Sequence, residues 1–228
     1  DLDEVAALVK SVGGVFHTDA VQAVGKLPID VRTTPVDLLS LSGHKIHAPK
    51  GIGALYVRRG TRLQTFMIGG HQENGRRGGT ENVPYIVGLG RAAELAAAGM
   101  AEEQTRVAAL RDRLEAGLLA TCPDARVNGD TQHRLPNTLN ISFEFIEGEA
   151  ILYHLSDLGI CASSGSACSS GSLEPSHVIR AMGIPFTAAH GSIRFSLSRY
   201  TTGQEIDYVL AQMPPIVAKL RAMSPFVK

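Results

Sequence analysis

Residues 38–57 read LLSLSGHKIHAPKGIGALYV and contain two apolar runs on either side of a polar stretch. Leu38–Leu41 fits a buried strand, because it is a short apolar run that ends at polar residues. Residues 51–60 fit a second strand that closes at a glycine, and Val15 and Phe16 predict another short strand upstream. Short apolar strands separated by helical stretches are typical of an α/β layout with covered sheet faces.

The second half of the sequence predicts a smaller α+β arrangement. A helix rich in Ala, Leu, Glu and Arg is expected from about Leu89 to Leu119. The final helix should open at a capping box that begins at Thr202, and it should be interrupted at Pro214-Pro215. Further strands are expected within residues 125–130, 137–146, 160–163 and 192–199, and further helices within residues 148–159 and 177–183. We therefore expect two domains, residues 1–88 and residues 89–228.

Composition and charge narrow the functional classes. The chain has 228 residues, with 22 Lys+Arg against 22 Asp+Glu, so its formal net charge is zero. A balanced charge gives no support for binding to nucleic acid or to an anionic membrane surface. No apolar run approaches the ~20 residues that a membrane-spanning helix needs. We therefore expect neither a nucleic-acid partner nor a membrane partner.

The start of the sequence and its cysteines indicate a larger cytoplasmic protein. The first residue is Asp1, and residues 1–14 have the pattern of the second half of an amphipathic helix. We expect the chain to be a processed form or a C-terminal piece. The three cysteines, Cys122, Cys161 and Cys168, are few and have no framework spacing, which favours free thiols in a reducing compartment.

Two groups of polar residues follow the predicted strands of the first half. Asp19 and Gln22 come after the first strand, and Ser42, His44 and Lys45 come after the second. A lysine amine can condense with a carbonyl, a carboxylate can hold a protonated ring nitrogen, and hydroxyl and imidazole groups can bind a phosphate. These are the groups that pyridoxal phosphate requires of a protein. The alternative is that Asp19 caps a helix and Lys45 is a solvated loop charge.

Longer motifs carry a specific resemblance. They are HTDAVQAVGK (17–26), SLSGHKIHAPKGIGALY (40–56), GGHQENGRRGGTEN (69–82), SSGSACSSGSLEPSHVIRAMG (163–183) and IRFSLSRYTT (193–202). The chain closely resembles the cysteine desulfurases, most strongly their NifS branch, in collinear order over essentially its whole length. The resemblance implies the C-terminal part of an aspartate-aminotransferase-like fold: part of a large mixed α/β domain that binds pyridoxal phosphate, followed by a small α+β domain. The chains of this family are nearly twice as long.

The resemblance assigns cofactor roles to the first group of residues. Lys45 would bind pyridoxal phosphate covalently, and Asp19 would pair with its pyridinium nitrogen. Gln22 would hydrogen-bond its phenolic oxygen. Ser42 and His44 would contact its phosphate.

Three further roles come from the resemblance. Thr80 would reach the phosphate of the partner subunit's cofactor in a homodimer. Arg194 would hold the carboxylate of the L-cysteine substrate, a bidentate role that lysine cannot copy. Cys168 would take sulfur from the substrate as a persulfide, leaving L-alanine, and pass it to an iron–sulfur scaffold or another acceptor protein, with nitrogenase as the expected destination.

The sequence around the cysteines agrees with this choice of nucleophile. Cys168 lies in SSGSACSSGS, a run of small residues without an apolar anchor, where burial as a small hydrophobe is not expected. Cys161, placed in a predicted strand, and Cys122, at a helix end, are expected to be buried and structural. No Cys-x-x-Cys pair or histidine cluster predicts a built-in zinc site. The one metal contact expected is a transient iron–sulfur contact at Cys168.

Two other functions stay open at this point. The chain could be a non-catalytic module that carries persulfide or docks to a scaffold. It could also belong to a nucleotide-dependent oxidoreductase, since residues 88–93 read GLGRAA, although no convincing strand precedes them. Among the remaining histidines, His71 and His190 lie in glycine-rich sequence and could line a pocket. His17 is expected to be a core histidine or to support Asp19.

Overall fold

The computed structural model describes residues 2–164 and 175–225. It separates into two units, residues 1–101 and residues 102–228. The sequence placed the domain boundary at residues 88 and 89, at the start of the long helical run. The division in the structure lies within that run.

The first unit is built around a three-stranded sheet with the order β1-β2-β3. Its elements are α1 Leu2–Ser11, β1 His17–Asp19, β2 Leu38–Ser42, a 3-10 turn Gly43–Ile46, β3 Gly53–Val57, a single turn α2 Gln72–Gly75 and α3 Val83–Glu102. β1 and β2 are parallel, with Asp19 opposite Ser40, and β2 and β3 are antiparallel. The first strand therefore begins two residues later than the sequence predicted.

The core of this unit forms on one side of β2. Ala20, Val36 and Leu39 are buried together, and partly buried apolar residues from the adjoining turns pack against them. Asp37, just before β2, is buried and accepts hydrogen bonds from the Lys10 ammonium and from the Phe16 N–H, the latter at 2.7 Å. These bonds tie α1 and the approach to β1 to the start of β2.

The second unit contains an antiparallel sheet with the order β4-β5-β6. Its elements are a π-helical turn Glu103–Val107, α4 Ala108–Thr121, β4 Ala125–Val127, β5 Thr138–Phe143, α5 Gly148–Asp157, α6 His177–Ala181, α7 Phe186–His190, β6 Ser192–Ser196 and α8 Gly203–Met223. In the middle strand, Leu139, Ile141 and Phe143 alternate with polar residues and are fully buried. Alternation with a period of two gives the sheet one apolar face and one polar face.

The apolar face of this sheet is covered by helices. Leu114 and Leu118 of α4 and Met213 and Val217 of α8 join its core cluster. Thr202 caps α8 in the predicted capping box, in which its Oγ1 accepts from the Glu205 N–H at 3.2 Å. That prediction is confirmed.

Two predictions for this unit are wrong. Pro214-Pro215 does not interrupt α8, which runs through both prolines to Met223. The buried side chains of Met213 and Ile216 pack on either side of the prolines, and this burial offsets the lost helical hydrogen bonds. The segment 160–163 is not a strand either. Only Ser163 pairs there, in an isolated bridge with Arg194.

None of the helices in the described ranges is both long and apolar enough to cross a bilayer.

Candidate active site

The polar residues predicted from the first half of the sequence meet at one edge of the first sheet. Asp19 is the last residue of β1, and Ser42 is the last residue of β2. Because these strands are parallel, their carboxyl ends share an edge. The 3-10 turn that carries His44 and Lys45 begins directly after Ser42. Ligands of open α/β sheets bind at this kind of edge.

The turn that presents the lysine is fixed by backbone bonds and close packing. The Gly43 N–H donates to the Ile52 carbonyl at 2.9 Å, and the Ala48 N–H donates to the Gly43 carbonyl at 3.0 Å. Gly43 is buried, and a side chain there would lie 2.9 Å from Cγ2 of Ile52. His47 ends the turn with a left-handed φ of 66°. Lys45 therefore stands on a rigid piece of backbone.

Lys45 itself is half-buried, and no residue within 2–164 or 175–225 hydrogen-bonds or ion-pairs with its ammonium group. Its backbone carbonyl accepts a hydrogen bond from Nζ of Lys26 at 3.4 Å, and Lys26 is only 7% exposed. Nothing in the sequence marks Lys26 as buried, because a lone lysine after a glycine is ordinarily solvated. A buried lysine that supports Lys45 is visible only in the folded chain.

Hydroxyl and imidazole groups lie beside this turn. Oγ of Ser42 and Nδ1 of His44 are 3.0 Å apart, and the direction of that hydrogen bond depends on the histidine tautomer. Nε2 of His17 lies 2.8 Å from Oγ of Ser40. His17 is exposed, so the first of its two expected roles, that of a core histidine, is wrong.

Asp19 is exposed, and its Oδ1 accepts a hydrogen bond from the Val21 N–H at 2.9 Å. Gln22 is also exposed, in the turn that follows β1. The donor set fits pyridoxal phosphate, since an amine without a counter-ion, a carboxylate and a hydroxyl–imidazole pair are gathered at one sheet edge. The structure thus places Asp19, Ser42, His44 and Lys45 at the carboxyl ends of β1 and β2 or directly after them.

Thr80 and His71 lie elsewhere in the first unit. Thr80 is exposed in the segment between α2 and α3, and none of the hydrogen bonds of the described residues joins it to Lys45 or Asp19. His71 is exposed and precedes α2. Within the described residues, neither Thr80 nor His71 hydrogen-bonds to Lys45 or Asp19.

Arg194 belongs to the second unit. It lies in the middle of β6, and its backbone exchanges hydrogen bonds with Ser163, at 2.6 and 3.1 Å. Its Nε is buried and has no hydrogen-bond partner among the residues that the structure describes. A guanidinium N–H without a hydrogen-bond partner is a donor that an anionic ligand can use.

The cysteines differ from expectation in one case. Cys122 is buried, as predicted, and burial raises the pKa of its thiol. Cys161 is exposed, so its predicted burial is wrong, because no strand forms there to cover it. It lines an open pocket of about 420 Å³ beside α5, and the described residues that line this pocket include none of the predicted site residues. Cys168 lies outside the described residues.

Two further features bear on the site. His190 places Nδ1 3.2 Å from Oε2 of Glu147 and meets Phe186 edge-on. Within the described ranges, no three His, Cys, Asp or Glu side chains are grouped so that they could hold a metal ion. Residues 88–93 lie inside α3, which excludes a dinucleotide-binding turn between a strand and a helix at that position.

Comparison with known proteins identifies the family. The model of the aminotransferase class-V family matches residues 1–209. The chain belongs to the aminotransferase class-V family. Among curated relatives, a cysteine desulfurase of Gluconacetobacter diazotrophicus is 65% identical and the cysteine desulfurase NifS of Azotobacter vinelandii is 64% identical, each over 99% of this chain. The chain spans 56% of the length of each of these two relatives.

Solved structures of the family confirm the fold. A NifS-like protein with 37% identity superposes with a TM-score of 0.87, covering 96% of this chain and 57% of its own. A NifS-like protein from Rickettsia africae ESF-5 gives the same TM-score at 32% identity. The predicted α/β architecture, matching part of this larger family fold, is therefore correct.

Proposed function

We propose that the protein containing this chain is a pyridoxal-phosphate-dependent cysteine desulfurase. It would convert L-cysteine into L-alanine and an enzyme-bound persulfide. The observation that carries the proposal is the half-buried Lys45 ammonium, without a counter-ion in the described part of the chain, at a sheet edge shared with Asp19, Ser42 and His44. The identities of 60–65% to proteins named cysteine desulfurase support it.

The residues of the first unit would hold the cofactor. When bound, pyridoxal phosphate supplies an electron sink that weakens the bonds at the α-carbon of an amino acid. Lys45 would attach it through Nζ and, once displaced by substrate, carry protons at that atom. Asp19 would keep a proton on the ring nitrogen, and Gln22 would bind the ring oxygen. Ser42 and His44 would bind the phosphate.

The second unit would supply the substrate clamp and the nucleophile. Arg194 would bind the substrate carboxylate through its guanidinium group. The Cys168 thiolate would attack the substrate sulfur, so that a sulfur–sulfur bond forms while the carbon–sulfur bond breaks. The persulfide would pass to an iron–sulfur scaffold or another acceptor, with nitrogenase as the proposed destination and a transient iron–sulfur contact at Cys168. We propose that residues 1–88 and 89–228 form the corresponding parts of the large and small domains.

A homodimer in the cytoplasm completes the proposal. Phe66 and Ile68 are 96% and 90% exposed in the single chain, in the segment that leads towards Thr80. Large apolar side chains left in water mark an interaction surface. A partner subunit seated there would bring its cofactor phosphate within reach of Thr80. Sedimentation of the full-length protein at micromolar concentration should show a dimer, and a monomer would contradict this part of the proposal.

The test compares two lysines in the full-length protein. Lys45→Ala should lose covalent cofactor, measured by borohydride reduction and peptide mass spectrometry, and should release no alanine from L-cysteine. Lys50→Ala is the matched control, because Lys50 is exposed five residues further along and should keep both properties. Full cofactor attachment in Lys45→Ala would refute the assignment. Absence of cofactor in the wild-type protein would favour the non-catalytic module instead.

A second variant separates the nucleophile from the cofactor site. Cys168→Ala should bind the cofactor normally, since no step of cofactor binding uses the thiol, but should carry no persulfide. Mass spectrometry locates the persulfide in the wild-type protein. Persulfide on Cys122 or Cys161, with normal alanine release by Cys168→Ala, would overturn the choice of Cys168.

A further inference from the structure

The polar face of the second sheet surrounds Arg194 with neutral groups. Asn140 lies directly opposite Arg194 in the β5–β6 ladder, so the two side chains share a face and their Cβ atoms are about 5 Å apart. On the other side, Ser163 pairs with Arg194. The remaining neighbours on this face, along β6 and diagonally on β5, are Ser192, Ser196, Thr138 and Ser142. None of these six positions carries a carboxylate.

Among the residues that the structure describes, none compensates the charge of Arg194. The side chain is half-buried, and it makes no ion pair within residues 2–164 and 175–225. Taking a charged group out of water without a partner is costly, so such a group usually has a counter-ion close by. Here the nearest neighbours provide only hydroxyl and amide groups. The position is suited to a counter-ion that comes from a ligand.

The orientation of Asn140 is set by Asn128, which follows β4. Nδ2 of Asn128 donates to Oδ1 of Asn140 at 2.6 Å and to Oγ of Ser142 at 2.7 Å. Asn128 is only 8% exposed, so these two hydrogen bonds are largely shielded from water. Because β4 and β6 flank β5 on opposite sides, the only acceptor atom of the Asn140 side chain is engaged on the side away from Arg194.

We propose that Asn140 is a specificity-determining residue that keeps the guanidinium group of Arg194 available to the carboxylate of an amino-acid substrate. The inference rests on the proposed function, in which Arg194 is the substrate clamp. An aspartate has the shape of asparagine, so a carboxylate at position 140 could keep the bond from Asn128 with one oxygen. Its second oxygen would compete with the substrate for Arg194.

The test is Asn140→Asp in the full-length enzyme. The competing charge should raise the KM for L-cysteine by about 4-fold to about 300-fold, with a much smaller change in kcat. This range follows from Coulomb's law for opposite charges about 5 Å apart at an effective dielectric constant between about 80 and about 20. The Kd of the product L-alanine, measured by calorimetry without turnover, should rise in parallel. Gln132→Glu is the matched control, because it makes the same amide-to-acid change at an exposed turn after β4.

Two more variants keep the result decisive. Asn140→Ser removes the amide without adding charge and should raise KM much less than Asn140→Asp. Ser196→Asp adds a carboxylate at an exposed position beside Arg194 and should raise KM even if Asn140→Asp folds poorly. Equal effects of Asn140→Ser and Asn140→Asp, or unchanged KM and Kd in both acidic variants, would overturn the inference. Failure of the wild-type enzyme to release alanine would refute the proposed function instead, and the L-alanine Kd would still test the role of Asn140.

Discussion

Gly43 determines how closely the lysine-bearing turn can pack, and Gly43→Ala tests this directly. The added Cβ would lie 2.9 Å from Cγ2 of Ile52, 3.0 Å from Cβ of Ala48 and 3.1 Å from the Ile52 carbonyl oxygen. One of these atoms belongs to backbone that accepts the Gly43 N–H, so it cannot move without weakening that bond. Relief therefore requires a shift of the turn that carries Lys45.

The expected cost follows from overpacking. Forcing a methyl group into a close-packed site typically costs about 1–3 kcal/mol. That corresponds to a decrease of roughly 5- to 150-fold in the ratio of folded to unfolded protein. Because the shift moves Lys45, two residues further on, covalent cofactor incorporation should fall as well.

Urea unfolding measures the loss of stability, and hydrogen exchange of residues 40–57 shows whether the lysine-bearing turn is affected. Borohydride trapping of the cofactor measures the fall in covalent cofactor incorporation. Gly90→Ala is the matched control, because Gly90 lies in α3 with nothing within 4 Å of an added Cβ. Alanine there should stabilise the helix by up to about 1 kcal/mol. An unchanged urea midpoint and full cofactor incorporation in Gly43→Ala would refute the packing argument.

Three further outcomes are expected. Thr202→Ala removes the side-chain cap of α8 and should cost about 1 kcal/mol of stability, measured by denaturant unfolding; no change would contradict the role of the cap. The hydrogen bond from the Lys10 ammonium, followed by that from a backbone N–H, lowers the pKa of Asp37. The stability that the ionised Asp37 carboxylate provides should be complete above the ordinary carboxyl pKa of about 3.9 and should be lost as the pH falls through the lowered pKa. Asp37→Asn should remove this contribution to the pH dependence of stability. Iodoacetamide should alkylate Cys161 in the folded protein and Cys122 only after unfolding, since Cys122 is buried and its pKa is raised; equal rates would contradict the structure.

The sequence was a good guide where local patterns determine structure. The apolar run before Ser42, the polar turn after it and the capping box at Thr202 are short-range signals, and each formed where it was expected. The position of Asp19 and Ser42 at the ends of neighbouring strands could also be predicted. Two parallel strands bring the residues at their carboxyl ends to one edge, whatever the details of packing.

The sequence was a poor guide where distant packing decides. Pro214 and Pro215 were expected to interrupt the final helix, yet buried neighbours keep α8 continuous. Ile160 and Cys161 have strand-like residues around them but no partner strand, so Cys161 stays exposed. Lys26 offered no signal, because its burial beside the Lys45 carbonyl depends on residues 19 positions away.

The packing of α8 on α4 has a consequence for the order in which the second unit can fold. Arg113 of α4 forms an ion pair with Asp207 of α8 across 94 residues of sequence. Closing a loop of this length adds little to the free energy of folding, because the entropy cost grows slowly with loop length. It slows folding, because the chain must be brought together before the contacts between α4 and α8 can form. On the ribosome, α4 emerges before the sheet but α8 emerges after β6, so the part of the apolar face that α8 covers stays exposed until that helix is made. The period before α8 docks is therefore when this unit is most prone to aggregate, and when a chaperone would protect it most.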